Sequence, residues 1–169
     1  GEYIAFLSAD DEWANDEKLK IQYEFLTKNK DYVACYGCKN IINENGELIQ
    51  QESQENIQYR ELNIDDIIFY NYIPAATLMI SHNYLKHINY FDENFAYEDF
   101  PLLLKTLSKG YKMAQLPYIF LNYRKHQNNY HFSLKFCLET LEILNFYSKN
   151  SKHSLFYLYY HYIKRWIWS

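Results

Sequence analysis

The sequence predicts an α/β fold: a mixed β-sheet flanked by helices, ending in a helical carboxyl-terminal part. Three observations carry this expectation. A short apolar run at residues 2–7 ends in acidic residues, as a buried strand does when its carboxyl end emerges at a ligand-binding edge. Two β-patterned segments, about 32–43 and 47–52, meet at Asn45-Gly46, a strong short-range hairpin signal. Amphipathic helical patterns recur between the strand-like runs and dominate the tail.

Taken in order, the opening run reads as a buried parallel strand. Such a strand needs neighbours on both sides, which implies a partner strand from sequence not in this chain. Asp16 then fits a helix N-cap, with Leu19, Tyr23 and Leu26 forming one apolar face. After the hairpin, the polar stretch of about 50–63 reads as a mobile loop, and residues 71–80 as a loop followed by a buried strand. Residues 91–99 lead into a helix with Pro101 in its first turn, where a missing N–H costs nothing. Phe100, Leu103, Leu104 and Leu107 form its stripe, and Gly110 ends it at C′. A strand over about 112–122 follows. Two helical patterns, about 132–147 and 153–167, complete the chain, with Leu155, Tyr159, Tyr162, Ile163 and Trp166 sharing a face of the second.

Composition bounds the function classes. With 49% hydrophobic and 22% charged residues the 169-residue chain can bury a core, which excludes broad disorder. A net charge of −4 argues against nonspecific nucleic-acid binding, which needs a basic footprint. No basic leader precedes an apolar core. The apolar stretch at 155–163, interrupted by His161, falls short of the ~20 residues of a membrane span. The expectation is a cytoplasmic protein whose last helix, with Lys164 and Arg165 beside tryptophans, either touches a membrane surface peripherally or packs on the domain. Cys35 and Cys38 have C-x-x-C spacing but sit in a strand-like run with no second cysteine pair, so they read as buried thiols, not zinc ligands.

Three clusters could carry chemistry. Ser8-Ala-Asp10-Asp11 directly follows the opening strand, and carboxylates there suit Mg²⁺ or Mn²⁺, hard ions that prefer oxygen. A plain turn with helix-capping acids is the competing reading. Glu98-Asp99 opens the helix containing Pro101, where the helix N-terminus favours an ionised carboxylate fit for a general base; a simple N-cap explains it as well. Tyr123-Arg124-Lys125-His126 follows a strand: Arg124 could pair with phosphate and a neutral His126 could ligate a metal, or the segment could be an exposed basic turn.

The order of these motifs resembles family 2 glycosyltransferases. Gly1-Glu-Tyr-Ile-Ala-Phe-Leu-Ser-Ala-Asp-Asp-Glu-Trp13, then Lys18-Leu19 and Gln22, is similar to a family signature. Phe91-Asp-Glu93, Glu98-Asp99, Gly110 and Tyr123-Arg-Lys-His126 follow in the family's order. The resemblance implies a GT-A fold with a largely parallel sheet, a catalytic acceptor-side part over residues 1–130 and a helical extension over 131–169. It also implies that the family's opening nucleotide-binding segment is absent. The implied reaction moves a sugar from a nucleoside-diphosphate donor to an acceptor hydroxyl with inversion, in surface polysaccharide or lipo-oligosaccharide synthesis, on a saccharide or lipid-linked acceptor. Asp99, with Glu98 beside it, is the implied base. Asp10, Asp11, Ser8 and Arg124 are implied donor-diphosphate contacts, and Asp10 with His126 the implied ligands of Mn²⁺ or Mg²⁺. The resemblance sets residues 74–77 near the loop that borders donor and acceptor. Ser8 departs from the pattern, standing where the family has the first acid of D-x-D and removing one negative charge. A transferase-like module that binds without catalysing is the alternative.

Overall fold

The spine of the fold is a pair of long strands, β3 (Tyr32–Ile42) and β7 (Lys112–Arg124), which run parallel through a register interrupted near Tyr36 and Cys38. Gly37 lies at that interruption because a Cβ there would stand 2.3 Å from Cδ2 of Phe120 and 2.6 Å from the Tyr118 carbonyl oxygen. The computed structural model describes residues 1–52, 59–125 and 134–167. Its elements group into two compact units, residues 1–62, 73–90 and 112–129 in one, and 63–72, 91–111 and 130–169 in the other.

The first unit holds the sheet. Strand β1 (Tyr3–Ala5) pairs antiparallel with β6 (Met79–Ser81), and β2 (Glu12–Trp13) pairs antiparallel with β7. The order is β1-β6-β3-β7-β2, with β4 (Leu48–Gln51) on β3 and β5 (Arg60–Leu62) on β7. Among the described pairs only β3–β7 is parallel. The sheet is therefore mixed, as expected, but here mostly antiparallel. The opening strand also departs from its buried, parallel reading: β1 is half-buried and, among the described residues, pairs only with antiparallel β6. An apolar run that short cannot reveal the direction of its partner. The Asn45-Gly46 hairpin forms as the sequence predicts, with Gly46 at φ +87°. The polar 50–63 stretch is not all loop, since Leu62 is buried and β5 pairs with β7.

Helix α1 (Lys18–Lys28) packs on β3, yet not by the face its leucine and tyrosine suggest. Lys18, Gln22 and Leu26 are buried, whereas Leu19 and Tyr23 remain 42% and 47% exposed. Nor does Asp16 cap the helix: Asn15 Oδ1 accepts the Glu17 N–H instead. Leu26 joins Cys35, Met79, Ala114, Leu116 and Phe120 in the core. Cys35 and Cys38 are buried free thiols, as expected.

The second unit is helical. α2 (Ile64–Ile67) carries a capping box between Asn63 and Asp66. The first unit's α3 (His82–His87) separates it in sequence from α4 (Asp99–Ser108), α5 (Leu134–Tyr147) and α6 (Leu155–Ile167). α4 is buried beyond its predicted stripe, Leu102 and Thr106 included. Gly110 at φ +78° closes it, with Gly110 N–H bonding Leu107 and Tyr111 N–H bonding Thr106, both at backbone oxygens. α6 packs on α5, where the Tyr159 hydroxyl donates to the Leu141 carbonyl at 3.2 Å; Leu158 and Tyr162 are buried, while Ile163, expected on the inner face, is 40% exposed. No described helix is long and apolar enough to cross a membrane.

Candidate functional site

The acid motif is a built turn in the first unit. Between β1 and β2, Asp11 N–H bonds the Ser8 carbonyl at 3.3 Å, and the indole N–H of Trp13 donates to the Phe6 carbonyl, also at 3.3 Å. Pairing of Glu12 and Trp13 with Asn122 and Leu121 then ties the turn to the end of β7. Asp11 faces inward. Its Oδ1 accepts the Arg124 backbone N–H at 2.9 Å. Burial raises its pKa above 3.8, with the Arg124 N–H opposing the rise and the negative charge of Asp10 adding to it. Asp10 is exposed. The two adjacent acids thus differ: one is consumed by the fold and one is presented.

Arg124 turns its guanidinium onto the protein itself. Nε donates to the Asp10 carbonyl at 3.0 Å, Nη1 to the carbonyls of Asn43 and Glu44 at 3.2 and 3.1 Å, and Nη2 to Glu12 Oε1 at 3.2 Å. Four of the fork's five donors are engaged in this way. The side chain expected on phosphate joins the acid turn to the β3–β4 hairpin.

Asp99 stands in the second unit, at the first residue of α4, with exposed Glu98 at the N-cap. Its Oδ1 accepts the Phe100 N–H at 2.8 Å and its Oδ2 accepts Asn71 Nδ2 at 3.0 Å. Burial raises its pKa above 3.8, opposed by the Phe100 N–H and reinforced by the Glu98 charge. The helix terminus was expected to favour the ionised form; the net direction is upward because burial outweighs the hydrogen bonds. A carboxylate so placed is a stronger base than an exposed aspartate.

Residues 74–77 form a 3-10 turn fixed from below. Thr77 Oγ1 donates to the Pro74 carbonyl, and Gln22 Nε2 donates to the carbonyls of Thr77 and Cys35 at 2.9 and 3.2 Å. Lys18, one helical turn before Gln22, is fully buried beneath Trp13, its Nζ 4.6 Å from the ring centroid and without a hydrogen-bond partner. Gln22 thus ties the turn to strand β3.

Ser8, Asp10, Asp11 and Arg124 come together in one unit, and Glu98 and Asp99 in the other; His126 lies outside the described residues. Asn71 escaped the sequence reading, although its place just before Pro74 in a chemistry-bearing loop was a usable signal. Among the described residues no three acidic, histidine or cysteine side chains converge as a metal site.

Comparison with known proteins agrees with the fold. The family model described as glycosyl transferase family 2 matches residues 1–88. An uncharacterized glycosyltransferase of Methanocaldococcus jannaschii is 26% identical over 156 residues, covering 90% of this chain and 53% of that protein. The crystal structure of S. aureus TarS, residues 1–349, superposes with a TM-score of 0.63 at 17% identity, covering 98% of this chain and 47% of that one. The chain thus spans about half the length of both. The shared architecture is the GT-A arrangement of mixed sheet and helices. With its matched half and its fold in agreement, this chain belongs to glycosyl transferase family 2.

Proposed function

We propose that the protein transfers a glycosyl group from a nucleoside-diphosphate sugar to an acceptor hydroxyl with inversion at the anomeric carbon. The observation that carries the reading is Asp99: a carboxyl made more basic by burial and held on one oxygen by Asn71 and on the other by its own helix. Asp99 takes the proton of the acceptor hydroxyl as that oxygen attacks, and the nucleoside diphosphate departs from the opposite face. Asn71 fixes the carboxylate's direction. Asp10, exposed on a turn clamped by Arg124, is the residue assigned to the donor's diphosphate in this reading.

A divalent cation fits this donor set in one form. Mg²⁺ or Mn²⁺ is commonly held by one or two carboxylates together with substrate phosphates, so Asp10 would be its described protein ligand. When bound, such an ion offsets charge on the departing diphosphate. Ser8 supplies no negative charge there, where the resemblance sets the first acid of D-x-D. That observation favours the second reading, a module that binds a sugar nucleotide without turning it over. A saccharide or lipid-linked saccharide on the way to a surface polysaccharide is the proposed acceptor.

The test is turnover of UDP-, GDP- and dTDP-sugars by the full-length protein with Mn²⁺ or Mg²⁺. Turnover lost in Asp99→Asn, with donor binding retained, is the expected result. Binding without turnover in the wild type would decide for the second reading.

A further inference from the structure

Helix α5 grips the loop that leads to Asp99 at three points. Glu139 Oε1 accepts the backbone N–H groups of both Ala96 and Tyr97, the latter at 3.2 Å. Two turns further along the helix, Phe146 meets Phe95 edge-to-face at 6.0 Å, and Phe95 is 8% exposed. The next residue, Tyr147, donates its hydroxyl to Asp92 Oδ2 at 3.2 Å. Asp92 Oδ1 accepts from the backbone and the side-chain amide of Asn94, which shapes the same loop. Tyr147 is pushed up to about 12, by burial first and the Asp92 charge second, so it remains a protonated donor across the neutral range.

The consequence concerns a proton acceptor two residues beyond the grip. Ala96 and Tyr97 immediately precede Glu98 and Asp99, and the path of their backbone sets where α4 begins. Accepting two successive N–H groups on one carboxylate oxygen holds both peptide planes at once. A carboxylate is the natural group for this, since its hydrogen bonds are stronger than a neutral acceptor's. Neither α4 nor α5 lies within the residues matched by the family model, 1–88, so the match gives these contacts no role.

We propose that Glu139 is a positioning residue for Asp99, with Tyr147 as its second anchor, so that α5 is a working part of the transferase and not merely a structural appendage. The proposal rests on Asp99 acting as the base. Neither anchor needs to touch substrate. Their contribution is to keep the Asp99 carboxylate aligned with the acceptor hydroxyl, where a displacement of about 1 Å can cost roughly a hundredfold in rate.

The experiment compares full-length wild type, Glu139→Ala, Glu139→Gln, Tyr147→Phe and Asp99→Asn, using whichever UDP-, GDP- or dTDP-sugar the wild type turns over. Glu139→Ala should lose about 10- to 100-fold in kcat with donor KM within about threefold. Glu139→Gln keeps an oxygen able to accept the same two N–H groups and should stay within about threefold of wild type. Tyr147→Phe, which removes one bond, should lose several-fold in kcat, again without a KM change. Amide hydrogen exchange at Ala96 and Tyr97 should accelerate in Glu139→Ala and stay slow in Glu139→Gln. Wild-type kcat in Glu139→Ala, or equal damage in Glu139→Ala and Glu139→Gln, overturns the proposal. If Glu139→Ala does not fold, wild-type kcat in Tyr147→Phe overturns it instead. Asp99→Asn separates the two levels: full turnover there refutes the base itself, whatever Glu139 does.

Discussion

Replacing Arg124 by lysine separates a clamp from a phosphate contact. The guanidinium reaches the Asp10 carbonyl, the paired carbonyls of Asn43 and Glu44, and the Glu12 carboxylate, in three directions from one planar fork. A lysine ammonium carries the same charge but concentrates its donors at one point, so it can satisfy one of these directions and must abandon the others. About three hydrogen bonds are lost, each worth roughly 0.5–1.5 kcal/mol net. The side chain is 25% exposed and its partners lie in surface turns, so the released carbonyls regain water and the loss falls toward the lower end. We expect about 1–2 kcal/mol, read as a fall of roughly 0.5–1 M in the urea midpoint. The turn carrying Asp10 loosens in the same variant, so kcat/KM should fall about tenfold alongside the midpoint. The assay is urea unfolding and steady-state turnover on one full-length preparation. An unchanged midpoint with a raised donor KM would refute the clamp and return Arg124 to the phosphate.

Other predictions follow from single environments. Because burial raises the Asp99 pKa above 3.8, the acid limb of the kcat/KM profile should lie above the ordinary aspartate range. The folded state also holds that proton more tightly than the unfolded one, so stability falls as pH rises from the ordinary value through the raised one. Asp99→Asn should abolish this fall without destabilising the protein at neutral pH, as urea midpoints across the acid range would show. Lys18 is fully buried and pushed down by burial from 10.5 to about 8, so stability should rise with pH between those values, where the unfolded chain alone still holds its proton. Lys18→Met removes an ammonium that has no hydrogen-bond partner and should stabilise by about 1–3 kcal/mol while flattening that rise. Gly37→Ala forces a methyl against Phe120 and the Tyr118 carbonyl and should cost about 1–3 kcal/mol, visible as a thermal midpoint several degrees lower. A variant as stable as wild type would refute so close an approach of β3 and β7.

Where the sequence reading succeeded, the cause was local. Asn45-Gly46 makes a hairpin because its backbone needs a positive φ that glycine supplies. Gly110 ends α4 for the same reason. Where it failed, the cause was a partner distant in sequence. The face of α1 was misjudged because Lys18 and Gln22 look solvent-facing until β3, Trp13 and the Thr77 turn close over them. The strand at Arg60–Leu62 was missed because a three-residue segment in a polar stretch becomes a strand only when β7 offers its edge.

The candidate site divides along the same line. The acids at Asp10, Asp11, Glu98 and Asp99, their order and the family they belong to were legible from the sequence by itself, because residue type and local spacing carry that information. The tertiary structure decided the surroundings of each one. It turned Asp11 inward onto Arg124 and left Asp10 exposed, spent the Arg124 fork on carbonyls, and brought Asn71 and Glu139 to the segment around Asp99. Hydrogen bonding and desolvation depend on groups brought together from far along the chain, and it is these, not residue identity, that set which carboxylate is buried and hydrogen-bonded and which is exposed.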